Sequence, residues 1–257
     1  MFFKSKKEKP IFLDCYTSSH FAYNNAKIDY SHKYIPEWWK NESKFNKKND
    51  ATIKYCKGFI DYYAKGIVIP LWGEVEINVN PINFGNNFYG WTASNEDFDL
   101  HSGSHEQEQW SGFAQKNRQN IKFLSPWAIK TRELIYFTFT QPTWSQSDTL
   151  NGLTLLPGVM QFKTQTATHM NYMVEQNEKV QNFNIQPLTP MAILHPMTDR
   201  KIEIRHHLVD KDKFKAIRSS GAGMNFVKNI FDGSRDFYVK RERFWKKADE
   251  INKCPFQ

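Results

Sequence analysis

The chain has 257 residues, a formal net charge of +8 and an aromatic content of 16%. This length fits one large β domain, or one domain with helical additions, and allows a core that needs no covalent staples. Its three cysteines are scattered and form no CxxC pair, which argues against a disulfide scaffold and a zinc knuckle. The longest apolar run, residues 67–72, is too short to cross a bilayer, and residues 1–10 lack the apolar stretch of a signal peptide.

The positive charge is concentrated at the two ends of the chain. Residues 1–50 carry 10 Lys and Arg against 6 Asp and Glu, and residues 201–257 carry 14 against 8. The segment between them carries 11 against 13. Charged arms commonly serve solubility, and the alternative is an anionic partner such as nucleic acid or an acidic protein surface.

Residues 1–50 are predicted to be a basic N-terminal segment with a first strand and a short helix. A frayed basic tail precedes the apolar run 10–16, which is typical of a strand. Ser31 is placed to cap a helix, and Pro36 is tolerated only close to a helix start, so the helix is expected to begin at Ile35.

That helix carries two adjacent tryptophans, Trp38 and Trp39. At least one of them should face the body of the protein, because exposing both would be costly. Core or interdomain packing is one interpretation of the pair, and an anchor for a partner is the other. We therefore keep both as candidate partner-binding residues.

Residues 51–209 are predicted to be a β-rich core domain. Segments that alternate apolar and polar residues, separated by turn residues, indicate half-buried strands. The predicted strands are TIKYC, GFIDYY, GIVIPLW, EVEINVN and FYGWTA before residue 94, and a longer antiparallel series over residues 125–204. The fold class expected is mainly β, an antiparallel sandwich or β-clip-like core, with a short N-terminal helix and a helical C-terminal arm.

A long polar loop, residues 94–120, interrupts this core. Loops of this length inside compact domains are usually functional or disordered, so we expect the loop to form the rim of any site in the core. The candidate rim residues are Asp99, His101, His105, Glu106 and Glu108. His and carboxylates can ligate a metal, but no H-x-H, HExxH or cupin-like pattern is present, and no metal or other cofactor is predicted.

Residues 210–257 are predicted to be a basic helical arm. A short helix is expected from residue 210, and a longer one over residues 234–252 would place five apolar residues on one face. The candidate partner-binding residues of this arm are Lys240, Arg243, Trp245, Lys246 and Lys247. Because the arm is basic, any partner that it binds is expected to be anionic.

The sequence contains no recognisable catalytic motif. There is no GxSxG elbow or kinase signature, and residues 219–224, SSGAGM, lack the lysine of a P-loop. His206 and His207 are adjacent on a predicted strand, so their side chains should point to opposite faces and cannot act as a pair. His169 and His195 are expected to be core or surface residues rather than ligands.

Several stretches together suggest a relationship: YIPEWWK, TIKYCKGFIDYYAKGIVIPLW, SPWAIKTRELIYFTFTQP, TLLPGVMQFKTQ and the terminal KCPF. Over most of its length the chain resembles a group of uncharacterised proteins carried by tailed phages, especially those of marine bacteria and cyanobacteria. Residues 130–196 also resemble a wider family with a domain of unknown function that is found in bacteria. The chain has TREL in place of the family's PPGY-like strand, and the corresponding later elements are the turn PTW, the segment PGVMQ, the pair NY and the ending LTPMAILHP.

The strand order also resembles, more distantly, the β-clip fold of dUTPases. That family needs an aspartate just after its G-V segment to activate water, and Gln161 stands nearest that position. An amide cannot act as a general base, and the family's serine-glycine phosphate motif is absent. The resemblance therefore implies a shared fold without the nucleotide chemistry.

Two functions remain open at this point. The first is a non-catalytic binding or assembly protein, located in the host cytoplasm or the virion, whose partner is a further copy of the chain or a phage or host protein. The second is an enzyme that binds a small molecule or nucleotide under the loop 94–120. The aromatic content, the basic ends and the missing catalytic motifs favour the first.

Overall fold

A computed structural model of the chain describes residues 8–81, 89–93, 118–145, 150–175 and 177–219. The fold is mainly β. The strands are β1 (Ile11–Thr17), β2 (Asp29–Tyr30), β3 (Ile67–Pro70), β4 (Val75–Val79), β5 (Tyr89–Ala93), β6 (Arg118–Lys130), β7 (Tyr136–Thr140), β8 (Leu153–Leu155), β9 (Gly158–Gln161), β10 (Ala167–Glu175), β11 (Gln181–Ile185), β12 (Pro190–Pro196) and β13 (Ile202–Leu208). The α-helices are α1 (His20–Asn25), α2 (Glu37–Asn41), α3 (Lys57–Lys65) and α4 (Lys211–Ser219).

The strands form three sheets. The first has the order β13-β1-β6-β10-β8, the second β2-β3-β12-β7-β9, and the third β11-β4-β5. Every pairing between these strands is antiparallel except β1 with β13, which is parallel. The antiparallel series predicted over residues 125–204 is thus confirmed for β6 to β12. It is wrong for β13, which pairs in parallel with β1 and forms an edge of the first sheet.

One apolar cluster takes side chains from all three sheets. Strand β4 shows how the sequence pattern produces it, because Val75, Ile77 and Val79 are buried while Glu76 between them is exposed. This alternation is the one expected for a strand with one face on the core. Large fully buried side chains complete the cluster: Trp72, Trp127, Tyr172, Phe123, Phe137 and Phe162.

The strands predicted for TIKYC and GFIDYY are wrong. Ile53–Tyr55 is a 3-10 helix, and Lys57–Lys65 is the α-helix α3. Phe59 and Tyr63, four residues apart, are both buried, as expected for one face of a helix. The aromatic and β-branched composition suggested strands, but the side chains are buried with helical spacing.

The start predicted for the tryptophan helix is also displaced. Ser31–Tyr34 is a separate 3-10 turn, and α2 begins at Glu37 with Pro36 as its N-cap residue. Ser31 is buried and donates its hydroxyl to the carbonyl of Tyr63, 2.8 Å away, instead of capping α2. The side chain that was expected to start a helix thus fastens the turn to α3.

The structure also tests the predicted end of the polar loop and the predicted start of the C-terminal arm. The polar loop was expected to extend to residue 120, but Arg118 already belongs to β6, which pairs along its length with β10. The short helix expected after residue 210 is present as α4, and its Ile217 packs on Tyr16 and Ala128 of the first sheet. The remainder of the predicted arm, from residue 220, lies outside the described residues.

Gly66 joins α3 to β3 at a point with no room for a side chain. A Cβ atom there would lie 2.6 Å from the Ser31 hydroxyl, 2.7 Å from Cδ1 of Ile193 and 2.9 Å from the Tyr62 carbonyl. We expect Gly66→Ala to lower the free energy of unfolding by about 1–3 kcal/mol, the typical cost of overpacking a core. Chemical denaturation measures this change. Gly158→Ala is the matched control, because nothing lies within 4 Å of its Cβ position, and equal losses in both variants would contradict the steric argument.

Candidate functional site

Most of the candidate residues named from sequence lie outside the described part of the structure. These are the loop residues Asp99, His101, His105, Glu106 and Glu108, and the arm residues Lys240, Arg243, Trp245, Lys246 and Lys247. Their roles stay predictions. Trp38 and Trp39 are described, and the structure places them in an extensive group of aromatic side chains.

The two tryptophans of α2 have different environments. Trp39 is half-buried and stacks on Phe59, with ring centroids 5.1 Å apart and an interplanar angle of 12°. Trp38 is 44% exposed and meets the same Phe59 ring edge-on at 5.6 Å. The expectation that at least one tryptophan faces the body of the protein is confirmed, and Trp38 remains available to a partner.

Phe59 of α3 is the centre of this group. It is only 2% exposed and contacts Trp38, Trp39, Tyr63 and Trp144, with centroid distances between 4.9 and 5.6 Å. Aromatic pairs at such distances each contribute about 0.5–1.5 kcal/mol beyond the area they bury. The buried Phe59 ring therefore supports the exposed rings of Trp38 and Trp144.

Trp144 comes from a distant part of the chain. It lies in the 3-10 turn Thr143–Ser145 that follows β7, and it is 40% exposed. The indole N–H of Trp38 donates to the Trp144 carbonyl at 3.2 Å, and the two ring centroids are 6.5 Å apart. The hydroxyls of Tyr63 and Ser145, 2.7 Å apart, fasten this turn to α3.

Two more exposed rings, Phe45 and Tyr55, lie on the loop between α2 and α3. They are 49% and 50% exposed and contact each other at 5.6 Å. Lys54 ties this loop to α2, because its ammonium donates to the carbonyls of Trp39 (2.6 Å) and Lys40 (2.8 Å). The same ammonium lies 4.2 Å from the Trp39 ring centroid.

We use the name aromatic surface for two pairs of exposed rings. Trp38 and Trp144 pack on Phe59, and Phe45 and Tyr55 contact each other on the loop that Lys54 ties to α2. Single exposed apolar residues are common, but grouped aromatic rings mark interaction sites. The sequence indicated Trp38 through the WW pair. It did not indicate Phe45, Tyr55 or Trp144, because none of these residues stands next to another tryptophan or belongs to a binding motif.

His195 borders the buried side of this region. It is half-buried, its ring contacts that of Tyr62 at 4.5 Å, and its Nε2 lies 2.9 Å from the Tyr62 carbonyl. Burial lowers the pKa of His195 below its ordinary value, and the bond to the Tyr62 carbonyl opposes this only in part. A neutral His195 that bonds a main-chain carbonyl is a packing residue, as the sequence analysis expects.

A polar cluster joins β1 to β13. Asp14 receives two hydrogen bonds from the Arg205 guanidinium, at 2.8 and 2.7 Å, and one from Nε2 of His207 at 2.8 Å. Burial acts to raise the pKa of Asp14, but these hydrogen bonds and charges outweigh it and leave the pKa below the ordinary value. Tyr16 stacks on the His207 ring at 4.6 Å. The carboxylate is thus held as an anion that fastens two parallel strands.

His206 and His207 have separate partners, as strand alternation predicts. Nε2 of His206 lies 2.8 Å from the Ile28 carbonyl, and its ring meets Trp127 edge-on at 5.4 Å. His207 instead bonds Asp14. The two rings therefore do not form a joint site.

A cavity of about 330 Å³ opens beside the first residue of β6. Its lining includes Arg118 and Glu175, which stand opposite each other in the β6–β10 register, together with Gln181. The Gln181 side-chain oxygen is buried and has no hydrogen-bond partner among the described residues. In the sequence, Arg118 directly follows residues 94–117, which lie outside the described residues and belong to the segment predicted as a site rim.

Gln161, at the end of β9, is tied to the turn that follows it. Its side-chain amide donates to the Thr164 hydroxyl, and its backbone N–H donates to the Gln165 side chain at 3.2 Å. These bonds give the Gln161 side chain a local structural role. Within the described ranges, no group of three His, Cys, Asp or Glu residues could hold a metal ion.

Comparisons with protein-family models, with curated proteins and with solved structures found no match. In the part of the chain that the structure describes, no helix has both the length and the apolar character needed to cross a membrane.

Proposed function

We propose that this chain is a non-catalytic binding or assembly protein of the tailed-phage type, which holds its partner on the aromatic surface. The observation that carries the proposal is the pair Trp38 and Trp144, both about two-fifths exposed although each packs on the buried Phe59. Rings that are exposed yet held in place can bind a partner without a large ordering cost. The resemblance to phage proteins supports the host cytoplasm or the virion as the location.

The partner on this proposal is a further copy of the chain or a phage or host component. The basic C-terminal residues add a second contact for an anionic partner. We also infer that the first and second sheets pack face to face as a sandwich or β-clip-like core. Support comes from the apolar cluster they share, in which Leu13 and Phe123 of the first sheet join Phe137 and Leu194 of the second.

Site-specific photocrosslinking in the cells that produce the protein tests the proposal. A benzophenone amino acid placed at Trp38 or at Trp144 should give discrete adducts, because the partner covers these positions. The same amino acid at Phe21, an exposed ring of α1 outside the aromatic surface, is the control and should give none. Adducts that are equal at all three positions, or absent at both tryptophans, would contradict the proposal.

A second candidate function rests on the cavity beside Arg118. Among the described residues, the Arg118 guanidinium has no ion-pair partner and the Gln181 side-chain oxygen has no hydrogen-bond donor. Together they suit a ligand that carries both an anionic group and a hydrogen-bond donor. A thermal-shift screen with nucleotides and small carboxylic acids tests it. If a ligand raises the melting temperature of the wild type but not of Arg118→Gln, this cavity becomes the favoured binding site in place of the aromatic surface.

A further inference from the structure

The loop between α2 and α3 combines exposed rings with exposed lysines. Residues 42–56 contain four lysines and two acidic residues, Glu42 and Asp50. Lys44, Lys47 and Lys48 are exposed, and none of them takes part in the ion pairs found within the described ranges. By contrast, Lys40 of α2 and Lys57 of α3 each pair with an acid on their own helix, Glu37 and Asp61.

This basic loop is ordered by its own hydrogen bonds. The Asn46 side-chain oxygen accepts from the backbone N–H groups of Lys48 (2.8 Å) and Asp50 (2.9 Å). Asn49 takes a left-handed conformation with φ of 63°, which asparagine tolerates in turns. Phe45 and Ala51 form an antiparallel bridge across the loop. The lysines and the rings are therefore presented by a fixed turn rather than by a free chain.

The composition of this region distinguishes between classes of partner. Protein interfaces enrich aromatic residues and arginine but are depleted in lysine. Residues 37–57 contain six lysines and no arginine. Neutral sugars would use the rings without the charge. Lysines beside exposed rings are the combination that binds single strands, in which phosphates meet the positive charges and unpaired bases stack on aromatic faces.

We propose that the aromatic surface, together with Lys44, Lys47 and Lys48, binds single-stranded nucleic acid. Bases stack on the exposed rings of Trp38, Trp144, Phe45 and Tyr55, and the lysines neutralise the backbone. A duplex offers its bases already stacked on each other and therefore gains only from the lysines. This inference rests on the proposed binding function and names its ligand class.

Fluorescence anisotropy with the full-length protein tests the inference. The probes are a fluorescein-labelled 20-nucleotide oligothymidine and a duplex of the same length. We expect the single strand to bind at least about 10-fold more tightly than the duplex. The double variants Trp38→Ala/Trp144→Ala and Phe45→Ala/Tyr55→Ala should each weaken binding about 10-fold or more, because each stacked base contributes about 1–3 kcal/mol.

The lysines are tested through the salt dependence of binding. The triple variant Lys44→Gln/Lys47→Gln/Lys48→Gln should reduce the slope of log affinity against log salt by about 2, since each phosphate contact on a single strand contributes about 0.7. The control triple variant is Lys179→Gln/Lys211→Gln/Lys213→Gln, which removes the same charge from exposed or partly exposed positions elsewhere and should leave the slope unchanged. Circular dichroism confirms that each variant is folded.

Three outcomes would overturn the inference. The first is no binding of the single strand at about 0.15 M salt. The second is binding that ignores the ring and loop-lysine variants but is lost when Lys240, Arg243, Lys246 and Lys247 become glutamine, which would assign it to the C-terminal residues. The third is loss of self-association, measured by sedimentation, in Trp38→Ala/Trp144→Ala with oligonucleotide binding intact. The third result would keep the proposed binding function and change its ligand to a second copy of the chain.

Discussion

Replacing Phe59 by alanine is expected to lower the free energy of unfolding by about 3–5 kcal/mol, the usual cost of removing a large buried ring. Phe59 is 2% exposed and supports Trp38, Trp39, Tyr63 and Trp144 at once. Its loss leaves a cavity that four rings surround, and a chain of this size should melt roughly 10 °C lower. Thermal and denaturant unfolding measure both effects.

Ile60, the next residue of α3, gives the matched control. Its side chain is 43% exposed, so Ile60→Ala removes little buried surface and should leave the melting temperature nearly unchanged. Phe59→Ala should also shift the tryptophan emission of the native protein, because Trp38, Trp39 and Trp144 lose a common neighbour. A Phe59→Ala variant as stable as Ile60→Ala would show that the aromatic surface is not supported from below.

The strands of this fold could be predicted where one face is buried and the other exposed. In β4 the alternation of Val75, Glu76 and Ile77 is matched residue by residue by burial. In α3 the signal was ambiguous, because Phe59, Tyr62 and Tyr63 are typical of strands while their burial follows a helix. Packing against the 3-10 turn Ser31–Tyr34 and the turn of Trp144 favours the helix over a strand, and the local sequence pattern does not predict this packing.

The site was less accessible to sequence reasoning than the fold. The adjacent tryptophans were noticed, but Trp144 is 106 residues from Trp38, and their hydrogen bond exists only once β7 and α2 are in place. The contact of Asp14 with Arg205 spans 191 residues and depends on a parallel pairing of β1 with β13 that local pattern does not predict. Both sites form by contacts between residues that are far apart in the sequence, so the residue types alone do not predict these contacts.

Asp14→Asn is expected to lower the free energy of unfolding at neutral pH by about 2–3 kcal/mol. Breaking a buried ion pair typically costs about 3–5 kcal/mol, and the Arg205 side chain is nearly half exposed, which reduces the loss. Urea unfolding at pH 7 measures the difference.

The pH dependence of the same variant tests the cause of this loss. The pKa of Asp14 is lower in the folded protein than in the unfolded chain, so its contribution is complete above the ordinary aspartate pKa of about 4 and is lost as the pH falls through the folded value. The gap between wild type and Asp14→Asn should therefore narrow as the pH is lowered from 5 to 2. Asp199→Asn is the control: this carboxylate pairs with Lys65, but its side chain is 96% exposed, and its removal should leave stability unchanged at every pH. A gap for Asp14→Asn that stays constant down to pH 2 would mean that packing at β1, and not the charge of the carboxylate, holds the parallel pair together.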